Sequence, residues 1–307
     1  MVKPPKLRKG GVFRVVAPSS PPRIPMYKVA EAIEMLVKRG YRVTVGETVR
    51  RMQPYAYQAA SPDVRARDLN EAFRDPRVDA IIAVTGGAGS IDLLDLIDYD
   101  LIRDNPKPIV GYSDVTAIQN AVYKISGVPS LHAVMLQPRP RDPARYTEDL
   151  GLALRILEGE VIEYNLQGYM RVMRGGSGSG SLVGGNLMVY TLLTASGMAP
   201  NGEEKILFFE DVNERAYRIG NMLQSLRLKG CFHGANGVLL GEFTDTRDEA
   251  WIVDLVIHNS LSITKVRPIV MGFPCCHGDR TMPLPIGINV RVDGETLTVS
   301  MEEPLVE

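Results

Sequence analysis

The first half of the chain alternates short apolar runs with amphipathic helical patterns, and this restricts its fold more than any other feature. FRVVAP (13–18) has the make-up of a strand, after which Val29, Ile33, Leu36 and Val37 recur at helical spacing until Gly40 ends the helix. YRVTVG (41–46) is the next strand. Ser61 and Pro62 supply a cap and first-turn pair for a helix carrying Leu69, Ala72 and Phe73 inward, and DAIIAVTGG (79–87) follows as a third strand. PIVGYS (108–113) is a fourth, leading into a helix with Val115, Ile118, Val122 and Ile125 on one face and Gly127 past its end. Strands separated by helices predict an α/β fold with a doubly wound, mostly parallel sheet covered on both sides. In such sheets ligands bind at the carboxyl ends of the strands, where TGGAGS and GYSD both fall.

The pattern changes after about residue 137. QPRPRDPAR is rich in Pro and Arg, a helical pattern runs to about Leu157, and RGGSGSGSLVGGN (174–186) has the composition of a flexible connector. Beyond it, KILFFE (205–210), GVLLGE (237–242), RPIVMG (267–272) and a hairpin INVRVDGETLTV (288–299), with Asp293 and Gly294 as a two-residue turn, predict a smaller strand-rich C-terminal domain. One helix interrupts it, with Ile219, Met222, Leu223 and Leu226 on its buried side. The expected organisation is an N-terminal α/β domain over 1–160, a linker region over 161–185 and a β-rich domain over 186–307.

Composition removes several function classes. The 307 residues are 45% hydrophobic and 23% charged with net charge −1, so no large field is available to capture nucleic acid or an anionic membrane. Cys231, Cys275 and Cys276 are too few for a disulfide framework and indicate a reducing compartment. The basic N-terminus is followed by an apolar run broken at Arg14, too short for a signal-peptide core, and no stretch approaches the ~20 apolar residues of a membrane span. A cytoplasmic protein is expected.

Each candidate for chemistry has a bland counterpart. GGSGSGS lacks the lysine and hydroxyl pair of a P-loop and the spacing of a dinucleotide fingerprint. Glycines in TGGAGS let backbone amides approach a ligand closely, although tight turns need glycine too. Cys275-Cys276-His277 lacks the two-to-four-residue cysteine spacing of a zinc site, and no second Cys/His cluster is visible, so no metal is expected. In GYSD, Ser113 sits at a sharp strand-to-helix turn that lifts its oxygen out of the sheet, with the Asp114 amide aimed at the same space; its bland reading is a helix cap. The α/β-hydrolase elbow is G-x-S-x-G, and this chain has Gly111 but Val115 at the second glycine. A serine nucleophile needs a base, and that base needs an orienting acid. The histidines are His132, His233, His258 and His277; His233 and His258 read as structural, whereas His277 precedes the loop HGDRTMPLPIG, where a mobile, partly exposed imidazole is expected. Glu210 closes the strand KILFFE beside the expected domain seam, a position that also suits an ordinary solubilising glutamate.

APSSP near the start, the glycine pair followed by LLDLIDYDLIRDNPKPIVGYSD, then SLVGGNL, LFFEDVNERAYRI and the histidine before LPIG together resemble the LD-carboxypeptidase family of serine peptidases. The resemblance runs in order over roughly residues 10–290. It implies a Ser-Glu-His triad carried over as Ser113, Glu210 and His277, with Glu214 as a rival acid, and an oxyanion hole from the amides of Asp114 and Gly87, with Gly86 against the substrate. It implies no cofactor, a small peptide substrate, and a homodimer. One branch of the family removes D-alanine from the L,D bond of a muramoyl tetrapeptide; a sister branch hydrolyses microcin C-type peptide nucleotides.

Two departures bear on that choice. Thr85 and Ala88 flank the glycine pair where the carboxypeptidase branch commonly has Arg and an aromatic, and the microcin branch more often has a small or β-branched residue at the first position. Gly220 and Asn221 replace an acid and a base in the helix after the glutamate. Arg139, Arg141 and Arg145 are candidate carboxylate binders or a solvated loop. A catalytically silent ligand binder on the same scaffold is the reading from another class; a glutamine-amidotransferase-like enzyme would need cysteine where Ser113 stands.

Overall fold

The computed structural model of the protein describes residues 1–137 and 143–307. The first unit runs β1 (Val12–Val16), α1 (Met26–Lys38), β2 (Arg42–Val45), α2 (Glu47–Arg50), α3 (Pro62–Arg74), β3 (Ala80–Ala83), α4 (Tyr99–Asp104), β4 (Ile109–Gly111), α5 (Thr116–Ser126), β5 (Ser130–His132) and α6 (Pro143–Leu157). Short 3₁₀ turns at Ser90–Leu93 and Ser113–Val115 precede α4 and α5. Phe13, Val15, Ile81, Ile82, Ile109 and Val110 are buried, as strands covered on both faces require. Helices end where the sequence indicated: Gly127 takes φ +71° after α5, and Pro62 opens α3 behind Ser61.

The second unit contains β6 (Glu163–Asn165), β7 (Arg171–Arg174), β8 (Ser177–Asn186), α7 (Leu187–Ala195), β9 (Lys205–Val212), α8 (Ala216–Leu228), β10 (Gly237–Thr244), α9 (Ala250–Ser262), β11 (Ile269–Met271), β12 (Leu284–Ile286), β13 (Asn289–Asp293) and β14 (Thr298–Met301). The first sheet has the order β12-β5-β4-β3-β1-β2 and is parallel except for β12, which returns from the second half to pair antiparallel with β5. Its strand order reverses between β1 and β3, which opens a crevice at their carboxyl ends. The second sheet has the order β6-β14-β13-β8-β9-β10-β11-β7, with β8 to β11 parallel and antiparallel strands on both flanks. The molecule is thus a mixed α/β protein with one parallel-rich sheet and one larger, strand-rich sheet.

Several expectations need correction. Residues expected as a linker over 161–185 supply β6, β7 and most of β8 instead. The glycines of β8 serve close packing: a Cβ at Gly178 would fall 1.8 Å from the Asn236 carbonyl and one at Gly180 would fall 2.3 Å from that of Glu204. Neighbouring backbone occupies the space a side chain would need, which composition alone cannot distinguish from flexibility. Three helices, α7 to α9, cross between the parallel strands where one was expected. The apolar moments of α7 and α9 are weak in sequence because their exposed faces also carry apolar residues such as Leu192, Trp251 and Leu255. The hairpin pairs Asp293 with Thr298, so its loop is Gly294 to Leu297 rather than two residues. The Asp293 carboxylate accepts from the amides of Glu295 and Thr296 and stabilises that longer turn.

The two sheets are locked together behind the strand-to-helix turn. Asn120 of α5 donates to the Gly184 carbonyl at 2.8 Å and accepts from the Gly184 amide at 3.0 Å, and the Asn186 amide donates to Thr116 Oγ1 at 3.1 Å. Because these groups are buried and paired, sliding α5 along β8 would orphan them, at a cost of about 1–3 kcal/mol each. Among the described residues, no helix is long and apolar enough to cross a membrane.

Candidate active site

A cavity of about 360 Å³ lies where the strand ends of both sheets converge. Ser20 and Arg23 reach it from the loop after β1, Thr85, Gly86 and Gly87 from that after β3, and Tyr112 and Ser113 from that after β4. Met135 and Gln137 follow β5, while Val212, Asn213 and His277 come from the second unit.

Ser113 has φ +62°, a left-handed conformation that costs a non-glycine residue strain and lifts its side chain out of the sheet. The turn is held by its neighbour. The Ser90 amide donates to Asp114 Oδ2 at 2.8 Å, and the Ser90 hydroxyl donates to the Asp114 carbonyl. Burial pushes the Asp114 carboxyl above its usual range, opposed by hydrogen bonds from Ser19 and Ser90 and by the Arg65 charge. Arg65 is itself buried and donates to the carbonyls of Ala60, Pro18 and Gly89, tying together the loops after β1 and β3. The Asp114 side chain is therefore a strut. Its amide stands at a helix start, where the first N–H groups have no intrahelical partner.

Gly86 passes directly over Ser113: a Cβ there would lie 2.9 Å from Ser113 Cβ, 3.1 Å from its Oγ and 3.3 Å from the Asp114 amide nitrogen. Gly87 takes φ +111° and crosses Ser20, whose hydroxyl accepts from the Ala88 amide at 3.1 Å. Gly86 and the Asp114 amide thus border the space beside Ser113 Oγ, and Gly87 lines the same cavity.

His277 Nδ1 donates to Glu210 Oε2 at 2.7 Å. Glu210 is fully buried two residues before the end of β9 and His277 is only 8% exposed, so the imidazole expected to be partly exposed is buried instead. The following loop is anchored on α6, where Arg280 and the Thr281 amide donate to the buried Asp149 carboxylate at 2.6–2.9 Å. Tyr112 meets the imidazole edge-on, with ring centroids 5.2 Å apart. With Nδ1 committed to Glu210, Nε2 is the nitrogen left for other chemistry. Successive strand residues point to opposite faces, and the next carboxylate, Asp211, accepts from the Met188 amide at 3.0 Å at the start of α7. Burial, and then the Glu210 charge, push its carboxyl up to about 7. Asn186 bridges the two acids, donating to Asp211 Oδ1 at 3.1 Å and to Glu210 Oε1 at 3.4 Å. Glu214 instead pairs with Arg218 at 2.7 Å.

Sequence reasoning missed a layer behind this pair. His132, at the end of β5, is fully buried and lies against Cys276, with Nε2 3.1 Å from Sγ. Its Nδ1 faces Gln119 Oε1 at 3.3 Å. The Gln119 amide group donates to the Gly111 and Leu131 carbonyls at 3.0 Å, so its oxygen is left to accept from His132. Burial lowers His132 to about 4, keeping it neutral. A Cys/His cluster therefore exists that one-dimensional spacing could not reveal, because β5 brings its histidine from 144 residues away. His233 and His258 are exposed, and neither lines the cavity. Arg145 pairs with Asp279 at 3.4 Å, Arg139 and Arg141 lie outside the described residues, and Arg23 is a cation at the cavity that sequence reasoning did not single out.

Comparison with known proteins agrees with this architecture. The LD-carboxypeptidase N-terminal domain matches residues 13–133 and the LD-carboxypeptidase C-terminal domain matches residues 179–292. The chain belongs to the LD-carboxypeptidase family of serine-type carboxypeptidases. It is 29% identical to a probable murein peptide carboxypeptidase of Bacillus subtilis, over 99% of this chain and 96% of that one. It is 26% identical to the microcin C7 self-immunity protein MccF of Escherichia coli, over 88% of this chain and 87% of that one. Among solved structures, an MccF-like protein from Bacillus anthracis superimposes with a TM-score of 0.87 at 26% identity, covering 99% of each chain.

Proposed function

We propose that the protein is a serine LD-carboxypeptidase that hydrolyses the L,D bond to a terminal D-alanine in muramoyl tetrapeptides, with Ser113 as nucleophile, His277 as base and Glu210 as orienting acid. The observation that carries this reading is the buried 2.7 Å bond from His277 Nδ1 to Glu210, in a cavity whose other wall presents Ser113 at φ +62°. His277 Nε2 takes the hydroxyl proton as Ser113 Oγ attacks the peptide carbonyl. The amides of Asp114 and Gly87 receive the developing oxyanion, and Gly86 leaves room for it. The protonated imidazole then gives its proton to the leaving D-alanine amine. Water, deprotonated by the same nitrogen, releases the acyl group from Ser113. Glu210 stays ionised throughout and stabilises the imidazolium. The enzyme acts as a cytoplasmic homodimer on this reading, which fractionation and light scattering check.

A specific observation favours a second substrate class. Thr85, where the carboxypeptidase branch commonly has arginine, lines the cavity beside Gly86, so a peptide nucleotide of the microcin C type is the competing substrate. Incubation with muramoyl tetrapeptide and, separately, with a peptidyl-adenylate analogue, followed by mass spectrometry, distinguishes them. D-Alanine release from the first alone sustains the proposal, whereas cleavage of the second alone transfers it to the sister branch. Failure of Ser113 to react with a fluorophosphonate in the folded protein removes both.

A further inference from the structure

His132, Glu210 and Cys276 form a second constellation, behind the wall of the cavity. One ligating atom from each lies within 4.8 Å of the others, and all three residues are buried. We propose that this cluster is a site for a thiophilic divalent cation of the Zn²⁺ or Cd²⁺ class, and that its occupancy inhibits the enzyme by taking Glu210 away from His277. The inhibitory part rests on the triad reading above; the binding part does not.

Four observations carry it. The donor set of imidazole nitrogen, thiolate sulfur and carboxylate oxygen is the one zinc-class ions take, and three protein ligands leave a fourth position for water. Charge closes as well: a divalent ion with one thiolate, one carboxylate and a neutral imidazole sums to zero, which a buried site demands. The imidazole is already oriented. Gln119 Oε1 accepts from Nδ1, leaving the Nε2 lone pair toward Cys276 Sγ, the outer-shell arrangement that fixes a ligating histidine. Finally, the geometry is close. Tetrahedral zinc bonds place ligand atoms about 3.3–3.8 Å apart; Nε2 and Sγ stand at 3.1 Å, and the Glu210 oxygen needs a shift of only about 1 Å from the 4.8 Å limit.

Binding replaces the Cys276 S–H bond with a metal–sulfur bond and releases one proton to solvent. No oxidant or reductant is involved. The cavity reaches Glu210 through His277, which lines the one and bonds the other. With Oε2 drawn onto the cation, the 2.7 Å bond to Nδ1 is lost, and the imidazole loses the partner that fixes its tautomer.

Cd²⁺ is the probe, read by its ultraviolet thiolate charge-transfer band and by calorimetry on the full chain. Wild type is expected to bind one equivalent with the band present. Cys276→Ala and His132→Asn, each shown by thermal melting to be folded, should bind at least about 100-fold more weakly. Cys231→Ala, whose cysteine is outside the cluster, should bind as wild type does. Absence of the band in wild type, or its persistence in folded Cys276→Ala, overturns the site. Zn²⁺ should slow fluorophosphonate labelling of Ser113 in wild type but not in Cys276→Ala; a saturated site with unslowed labelling overturns the inhibitory part. If Ser113 never reacts, the triad reading fails while the band still decides the cation site.

Discussion

Replacing Gly86 with alanine tests the proposed site with one methyl group. The new Cβ would stand 3.1 Å from Ser113 Oγ and 2.9 Å from its Cβ, whereas relaxed carbon contacts begin near about 3.5 Å. Ser113 cannot simply retreat, since Ser90 holds Asp114 at both its carboxylate and its carbonyl. The oxygen is displaced by about half an ångström, and the methyl crowds the approach to the Asp114 amide. A misplacement of about 1 Å costs roughly 100-fold in rate, and loss of one oxyanion donor costs about 10²–10³-fold. We therefore expect kcat to fall about 10²–10³-fold in Gly86→Ala. Stability should change little by comparison. Crowding costs about 1–3 kcal/mol, offset by about 0.4–1 kcal/mol from restricting the unfolded chain. The assay pairs turnover and the second-order rate of fluorophosphonate labelling with a thermal melt. Gly87→Ala is the contrast: its φ of +111° and a contact of 2.3 Å with Ser20 Oγ predict the larger loss of stability. Labelling of folded Gly86→Ala at the wild-type rate would refute the packing of this glycine against the nucleophile.

Glu210→Gln keeps the volume but removes the charge facing His277; on the proposed mechanism kcat should fall by about 10⁴-fold, and a variant retaining full turnover would remove Glu210 from the proposed triad. His132 titrates near 4 in the fold against an ordinary value of 6.5, so the native state binds fewer protons than the unfolded chain between those pH values. The stability it contributes is complete above pH 6.5 and falls by about 3 kcal/mol on acidification to pH 4. The difference in melting temperature between wild type and His132→Asn should shrink over that window, and a pH-independent difference would contradict burial as the cause. Asp68→Ala should destabilise by about 2–5 kcal/mol, because its carboxylate accepts from the Glu47 and Thr48 amides and the Thr48 hydroxyl, and chemical denaturation reads the loss directly.

What the sequence made legible divides along physical lines. Elements of the first sheet were readable because their signals are local: apolar strands of four or five residues, helices with one buried stripe, and terminating glycines. The second sheet was half-readable. Its strands KILFFE and GVLLGE carry local signals, but β8 is built of glycine and serine because of what packs on it, and that information belongs to Asn236 and Glu204 rather than to the strand. The same division runs through the candidate site. Ser113, Gly86 and Gly87 sit at strand ends that a sheet topology brings together, so their proximity followed from fold class. The pairing of Glu210 with His277 was available only from the family resemblance. His132 and Asn186 had no signal at all, because each is defined by partners from a different strand or sheet.

The missing elbow glycine has a counterpart elsewhere in the fold. In the G-x-S-x-G elbow both glycines clear space around a strained serine. Here Gly111 makes room for the elbow's own valine, since a Cβ on it would meet both methyls of Val115 at 3.1 Å. Val115, at the position of the second glycine, is fully buried and packs inward. The clearance on the remaining side comes from Gly86, on the loop after the adjacent strand β3. Relocating the small residue has a consequence for chemistry: a glycine outside the elbow brings its own backbone against Ser113, and that of Gly87 into the same cavity. On the proposed mechanism, the loop that makes room for Ser113 is then also the loop that supplies the second oxyanion amide. A chain built this way needs its glycine pair at a strand end and tolerates valine in the elbow, which is the pattern TGG and GYSDV display.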